Sequence, residues 1–173
     1  VIDHISEGVR DGAAIRATAS SIFAEYQGGI QANLNVISVD LQTNTIIVSR
    51  NNPVPVFLIN DEQVDCLVTE CELIGGRPDI TPTIVELQIR PGMAIIMFSD
   101  GVFNAGRKDP SIPNICTTIE ALIEEQEPSA QDIADFILNR AIRLDDGRPK
   151  DDMSVIVMRV SPHSSDRIRR MNL

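Results

Sequence analysis

The stretch "MAIIMFSDGVFNAG", residues 93–106, decides how this chain is read. An apolar run meets Ser99-Asp100-Gly101 and then turns apolar again. Asp-Gly is among the commonest turn pairs, so Asp100-Gly101 reads by itself as a plain turn. It also reads as a ligand presented at a sheet edge, where Gly101 lets the backbone turn sharply and leaves room beside the carboxylate. A second segment bears on the choice. "DDMSVIVMRV", residues 151–160, opens on Asp151-Asp152 and continues as another apolar strand. If these strands are antiparallel neighbours, the end of one and the start of the other share a sheet edge. Asp3 follows an apparent strand end, Val1-Ile2, and precedes a helix, so it belongs to the same pattern. Taken singly, Asp151-Asp152 also reads as a solvated loop and Asp3 as a helix N-cap.

The composition narrows the setting. With 173 residues, 43% hydrophobic and 23% charged, the chain suits one domain with a sizeable core. Aromatics make up 3%, so the core rests on Ile, Val, Leu and Ala. A formal net charge of −10 disfavours nucleic acid and anionic membranes as partners. No apolar run approaches the roughly 18 residues that a membrane span needs. Cys66, Cys71 and Cys116 are odd in number and match no zinc spacing, which fits reduced thiols in a cytoplasmic protein. The abrupt start at Val1, without an initiator Met, predicts that the native protein extends upstream.

Along the chain, Ile15, Ala19, Ile22 and Tyr26 predict a helix over about 8–27, ended by Gly28-Gly29. Residues 34–39 and the run after Gln42-Thr43-Asn44 predict a hairpin. Asn51-Asn52-Pro53 then turns into a third strand, and Asn60-Asp61 marks another turn. "TIVELQI" and "MAIIMFS" read as a strand pair joined by Arg90-Pro91-Gly92. Thr117 with Glu120 makes a capping box before "IEALIEE". Ser129 opens a further helix with Ile133, Phe136, Ile137 and Leu144 on one face. The uninterrupted apolar run of "MSVIVMRV" predicts a strand buried on both faces, and the tail 161–173 reads as flexible. The order predicts an α+β protein with a mostly antiparallel sheet covered by helices.

Several carboxylates without His or Cys make a hard oxygen site, suited to Mg²⁺, Mn²⁺ or Ca²⁺ rather than zinc. Gathered at one edge they would repel one another unless a cation compensates. His4 and His163 lack an evident base or nucleophile partner, and their side chains read as non-catalytic.

Together, "IIMFSDGVFNAG", "DDMSVIVMRV" and the strand-turn-strand of "NVISVDLQTNTIIVSRNNPVPVFLIN" resemble the metal-dependent protein serine/threonine phosphatases of the type 2C superfamily. The likeness is to the bacterial branch typified by the sporulation stage II protein E, and it covers the chain to about Val160. It implies an antiparallel β-sandwich flanked by α-helices, with a phosphatase-like domain over 1–160 that lacks its first strands. It also implies two Mn²⁺ or Mg²⁺ ions. Asp100 matches the Asp of the family's Ser/Thr-Asp-Gly motif and Asp151 the first Asp of its closing motif, with Asp152 as the alternative register; both positions are metal ligands in the family. Asp3 matches the Asp that bridges the two metals, and His4 the residue that donates a backbone carbonyl. The chain departs from the pattern at Ser6-Glu7-Gly8, where the branch has Gly-His-Gly, and at Asn51-Asn52-Pro53, where it has a Gly-His-Pro type of turn. The family's first acidic motif would lie upstream of Asp3.

The activity implied is hydrolysis of phosphoserine or phosphothreonine by a metal-activated water, on a regulator of the anti-sigma-antagonist type, and a homodimer is compatible with it. A catalytically inactive signalling module that keeps the fold and binds a regulatory partner is the alternative. A hard-metal nuclease would need a basic groove that this composition lacks.

Overall fold

The computed structural model describes residues 1–60, 63–106, 112–125 and 128–161. In chain order these form α1 (Ile2–Ser6), α2 (Asp11–Tyr26), β1 (Leu34–Asp40), β2 (Thr45–Asn51), β3 (Val56–Asn60), β4 (Gln63–Leu67), β5 (Thr83–Gln88), β6 (Ala94–Phe98), α3 (Asp100–Asn104), α4 (Ile112–Glu125), α5 (Ala130–Leu144) and β7 (Val155–Arg159). The elements divide into two compact units. One holds Val1–Pro55 and Val68–Ile89; the other holds Val56–Leu67 and the chain from Arg90 onward.

The first unit is built on the antiparallel sheet β1-β2-β5. Its hairpin pairs Leu34 with Asn51 and Asp40 with Thr45. Asp40 fixes the turn, because its Oδ1 accepts the N–H groups of Gln42 at 2.7 Å and Thr43 at 3.2 Å. Ile15 and Ala19 of α2 pack with Ile74 and Ile80, flanked by Leu34 and Val36 of β1. The alanine-rich face of α2 permits this, since small side chains let the helix approach the sheet. Arg50 is fully buried, and its Nη2 donates to the carbonyls of Asn52 at 2.7 Å and Val54 at 2.9 Å. Asn52 Oδ1 in turn accepts the Val54 N–H at 2.9 Å. The Asn51-Asn52-Pro53 turn is thus held from within by a cation.

The second unit is built on the antiparallel sheet β4-β3-β6-β7. All five residues of β6 are buried, as a central strand covered on both faces requires. Phe57 of β3 is 0% exposed and stacks on Phe98 of β6 with ring centroids 5.5 Å apart. Ser129 caps α5 in a capping box with Asp132, which satisfies two otherwise orphaned N–H groups. The Arg159 guanidinium donates to the Pro128 carbonyl, tying β7 to the start of α5.

Several expectations change. Val1-Ile2 does not end a strand: Ile5 N–H bonds the Val1 carbonyl at 3.0 Å, and Asp3 sits inside α1. "TIVELQI" and "MAIIMFS" are not a hairpin. β5 pairs with β2 and β6 pairs with β3 and β7, because β5 alternates half-buried with exposed positions while β6 needs cover on both faces. The last strand is an edge strand with Ile156 60% exposed, so its apolar run does not mark two-sided burial. Thr117 lies inside α4 rather than at its start, since the helix begins upstream of it. On α5 the buried stripe is Ile133, Ile137 and Ala141, while Phe136 and Leu144 face solvent. Strand β4 adds a hairpin with β3 that the sequence did not suggest. Asp61 of the Asn60-Asp61 turn, His163 and all but the first residue of the 161–173 tail lie outside the described residues.

Phe57→Ala deletes a fully buried ring from the second unit, and such truncations cost about 3–5 kcal/mol. The expected result is a fall of that size in unfolding free energy, read from urea denaturation.

Candidate metal centre

The site of the second unit follows from strand register. Antiparallel pairing of β6 with β7 sets Phe98 opposite Val155, so the residues just beyond meet as well. Ser99 N–H donates to the Ser154 carbonyl at 3.0 Å. Ser99 Oγ donates to the Asp152 carbonyl at 2.8 Å and accepts the Ser154 N–H at 3.0 Å. This hydroxyl holds together the two segments that carry Asp100 and Asp151. That commitment explains why Ser99, the N-cap of α3, makes no side-chain cap to its own helix.

Gly101 sits where nothing larger fits. A Cβ there would lie 2.4 Å from the Asp152 carbonyl oxygen and 3.3 Å from the Asp151 carbonyl carbon. The Asp100-Gly101 pair is therefore more than a turn, because the glycine permits backbone-to-backbone approach of the two acidic segments. Each carboxylate is solvent-facing, and each uses one oxygen locally. Asp100 Oδ1 accepts the Gly101 N–H at 3.1 Å, and Asp151 Oδ1 accepts the Asp152 N–H at 2.8 Å. Among the described residues no three His, Cys, Asp or Glu side chains converge. Asp100 and Asp151 are both exposed on these adjoining segments, and two carboxylates would suit an ion that keeps most of its waters, as Mg²⁺ and Mn²⁺ do.

Asp3 and His4 belong to the first unit. The Asp3 carbonyl accepts the Glu7 N–H at 3.1 Å and the His4 carbonyl the Val9 N–H at 3.0 Å. Asp152 follows Asp151 with its side chain exposed, and its carbonyl is the atom that meets Ser99.

Asp145, absent from the sequence reading, is 7% exposed at the C-cap of α5. Its Oδ1 accepts the Gly106 N–H at 2.9 Å and its Oδ2 the Lys150 N–H at 3.2 Å. The Gly106 N–H holds its carboxyl below the ordinary value of 3.8; burial opposes this, while the Lys150 N–H and the Lys150 ammonium, 3.8 Å away, add to the lowering. The only sequence signal was an acidic residue at a helix C-terminus, where the dipole prefers a cation.

These features define a class. The sequence pattern of the family described as "Stage II sporulation protein E (SpoIIE)" matches residues 4–161, and the chain belongs to that family. It is 24% identical over 156 residues to Stage II sporulation protein E of Bacillus subtilis (strain 168), covering 90% of this chain and 19% of that protein. The chain thus spans about a fifth of that relative's length. The fold is similar to the PP2C phosphatase domain with a regulatory-domain fragment of Bacillus subtilis SpoIIE, with TM-score 0.79 and 24% identity over 91% of this chain and 46% of that one. It also resembles the catalytic domain of the serine/threonine phosphatase PstP in complex with two manganese ions, with TM-score 0.60, 21% identity, and 84% and 68% coverage. The expected α+β phosphatase fold is borne out. No helix among the described residues is long and apolar enough to cross a membrane.

Because folding lowers the Asp145 carboxyl, its stabilising contribution is present above the ordinary value of 3.8 and is lost as pH falls through the folded value. The melting-temperature gap between the chain and Asp145→Asn is expected to hold at neutral pH and close below 3.8. A thermal denaturation series against pH measures it.

Proposed function

We propose that the chain is a metal-dependent protein phosphatase domain that hydrolyses phosphoserine or phosphothreonine on a regulatory protein. The observation that carries this reading is the close backbone contact of the segments that bear Asp100 and Asp151, held by Ser99 and permitted by Gly101. Family membership and the manganese-bound PstP neighbour support it. In this reading Asp100 and Asp151 hold Mn²⁺ or Mg²⁺, two ions in all. The family resemblance gives the same ligand role to Asp3 and to the His4 carbonyl of the first unit. Such ions, when bound, supply an activated water and offset charge on phosphoryl oxygens. The residues of the chain hold and orient: Ser99 fixes the spacing of the two segments, and Gly101 permits their approach. The substrate class, by the same resemblance, is a phosphorylated regulator of a sigma-factor partner-switching pathway in the cytoplasm.

A binding-only module is the second reading. It is favoured by Ser6-Glu7-Gly8 in place of Gly-His-Gly.

The test is phosphate release from a phosphoserine protein in the presence of Mn²⁺. The expected result is release that chelator abolishes. Asp100→Asn should reduce it by more than the roughly 10–100-fold that loss of a supporting residue costs, and Asp3→Asn tests the first unit's ligand in the same assay. Release that survives chelation, or that folded Asp100→Asn retains, would contradict the proposal. Partner binding without any release would favour the binding module.

A further inference from the structure

Asp145 stands in a place that local energetics disfavour. It is a carboxylate, nearly buried, at the negative end of a fifteen-residue helix. The dipole there favours cations by about 0.3–1 kcal/mol, and burying an unpaired charge costs more. Its ion pair does not offset this, since Lys150 Nζ is 3.8 Å away on a side chain that is 77% exposed; such pairs are worth little. What the carboxylate does have is two backbone donors from distant places. Gly106 is 39 residues away in sequence, and Lys150 is five residues on.

Those donors belong to the two segments that carry the candidate ligands. Gly106 follows α3, the short helix that begins at Asp100. Lys150 immediately precedes Asp151. Gly106 has φ +71, and a Cβ on it would lie 2.8 Å from Leu144 Cβ, so the turn after α3 is pressed against the end of α5. The loop from α5 is shaped around the same residue, with Arg148 N–H donating to the Asp145 carbonyl at 2.9 Å. Ser99 pins the two acidic segments at the sheet edge, and Asp145 pins their far ends.

We infer that Asp145 is a positioning residue for the metal centre, clamping the turn after α3 to the loop before Asp151 so that Asp100 and Asp151 keep their spacing. The inference rests on the phosphatase reading above and deepens it. Asp145 is not a ligand itself, because both its oxygens are taken by N–H groups. An amide in its place accepts at one oxygen only and turns an NH₂ toward the other N–H, so one arm of the clamp opens. Supporting residues of this kind cost 10–100-fold in metal affinity or activity when removed.

The experiment compares the parent chain, Asp145→Asn and Asp132→Asn. Asp132 is a control carboxylate of the same helix, which holds the Ser129 N–H at the opposite end. Mn²⁺ binding is titrated by the paramagnetic resonance of the free ion, and phosphate release is followed against Mn²⁺ concentration. Asp145→Asn is expected to weaken binding about 10–100-fold, with the maximal rate recovered at high Mn²⁺; Asp132→Asn should lower the melting temperature and leave the Mn²⁺ affinity unchanged. Parent-like Mn²⁺ affinity in folded Asp145→Asn overturns the positioning role alone. A parent chain that binds no Mn²⁺ overturns the phosphatase reading, and this inference with it. If Asp145→Asn fails to fold, amide exchange in the parent decides. Protection of the Gly106 and Lys150 amides that rises with Mn²⁺ supports the clamp, and free exchange in both states overturns it.

Discussion

The pairing of β6 with β7 is the constraint on which the candidate site depends. With Phe98 opposite Val155, Ser99 falls against Ser154, and the two acidic segments leave the sheet side by side. A one-residue slip would undo the hydrogen bonds that Ser99 makes with Ser154 and Asp152. The register thus does more than stabilise the sheet, because it brings the segments that bear Asp100 and Asp151 to one edge.

Much of this was legible in the sequence because the signals are local. An apolar run ending in Ser-Asp-Gly and another beginning with Asp-Asp announce two strands with acidic ends, and antiparallel pairing is the simple way to join them. The β1-β2 hairpin and the start of a helix at Ser129 were equally plain. What stayed hidden depends on partners distant in sequence. Arg90-Pro91-Gly92 looks like a hairpin turn, yet β5 and β6 enter different sheets, since only the surrounding elements decide that β6 needs cover on both faces. The edge position of β7 is invisible for the same reason, because its apolar run is that of a central strand.

The buried polar residues were the least legible. Arg50 looks like a surface charge at a strand end, but its Nη2 binds two carbonyls of the following turn. Asp145 in "LDDGRPKDD" looks like one more turn residue before a glycine. Its role appears only when the 39-residue separation from Gly106 is closed in space. Both cases share a physical logic. A charge is taken out of water where several backbone groups lack partners, and it shapes a loop that apolar packing alone would leave loose.

The claim most exposed to test is that the edge beyond β6 and β7 holds a divalent cation. Mn²⁺ added in small amounts to the isotopically labelled chain broadens the amide resonances of residues close to it. The account predicts that Gly101 and Asp152 broaden first and that Asp100→Asn abolishes the effect. Broadening centred elsewhere, or unchanged in folded Asp100→Asn, would contradict it.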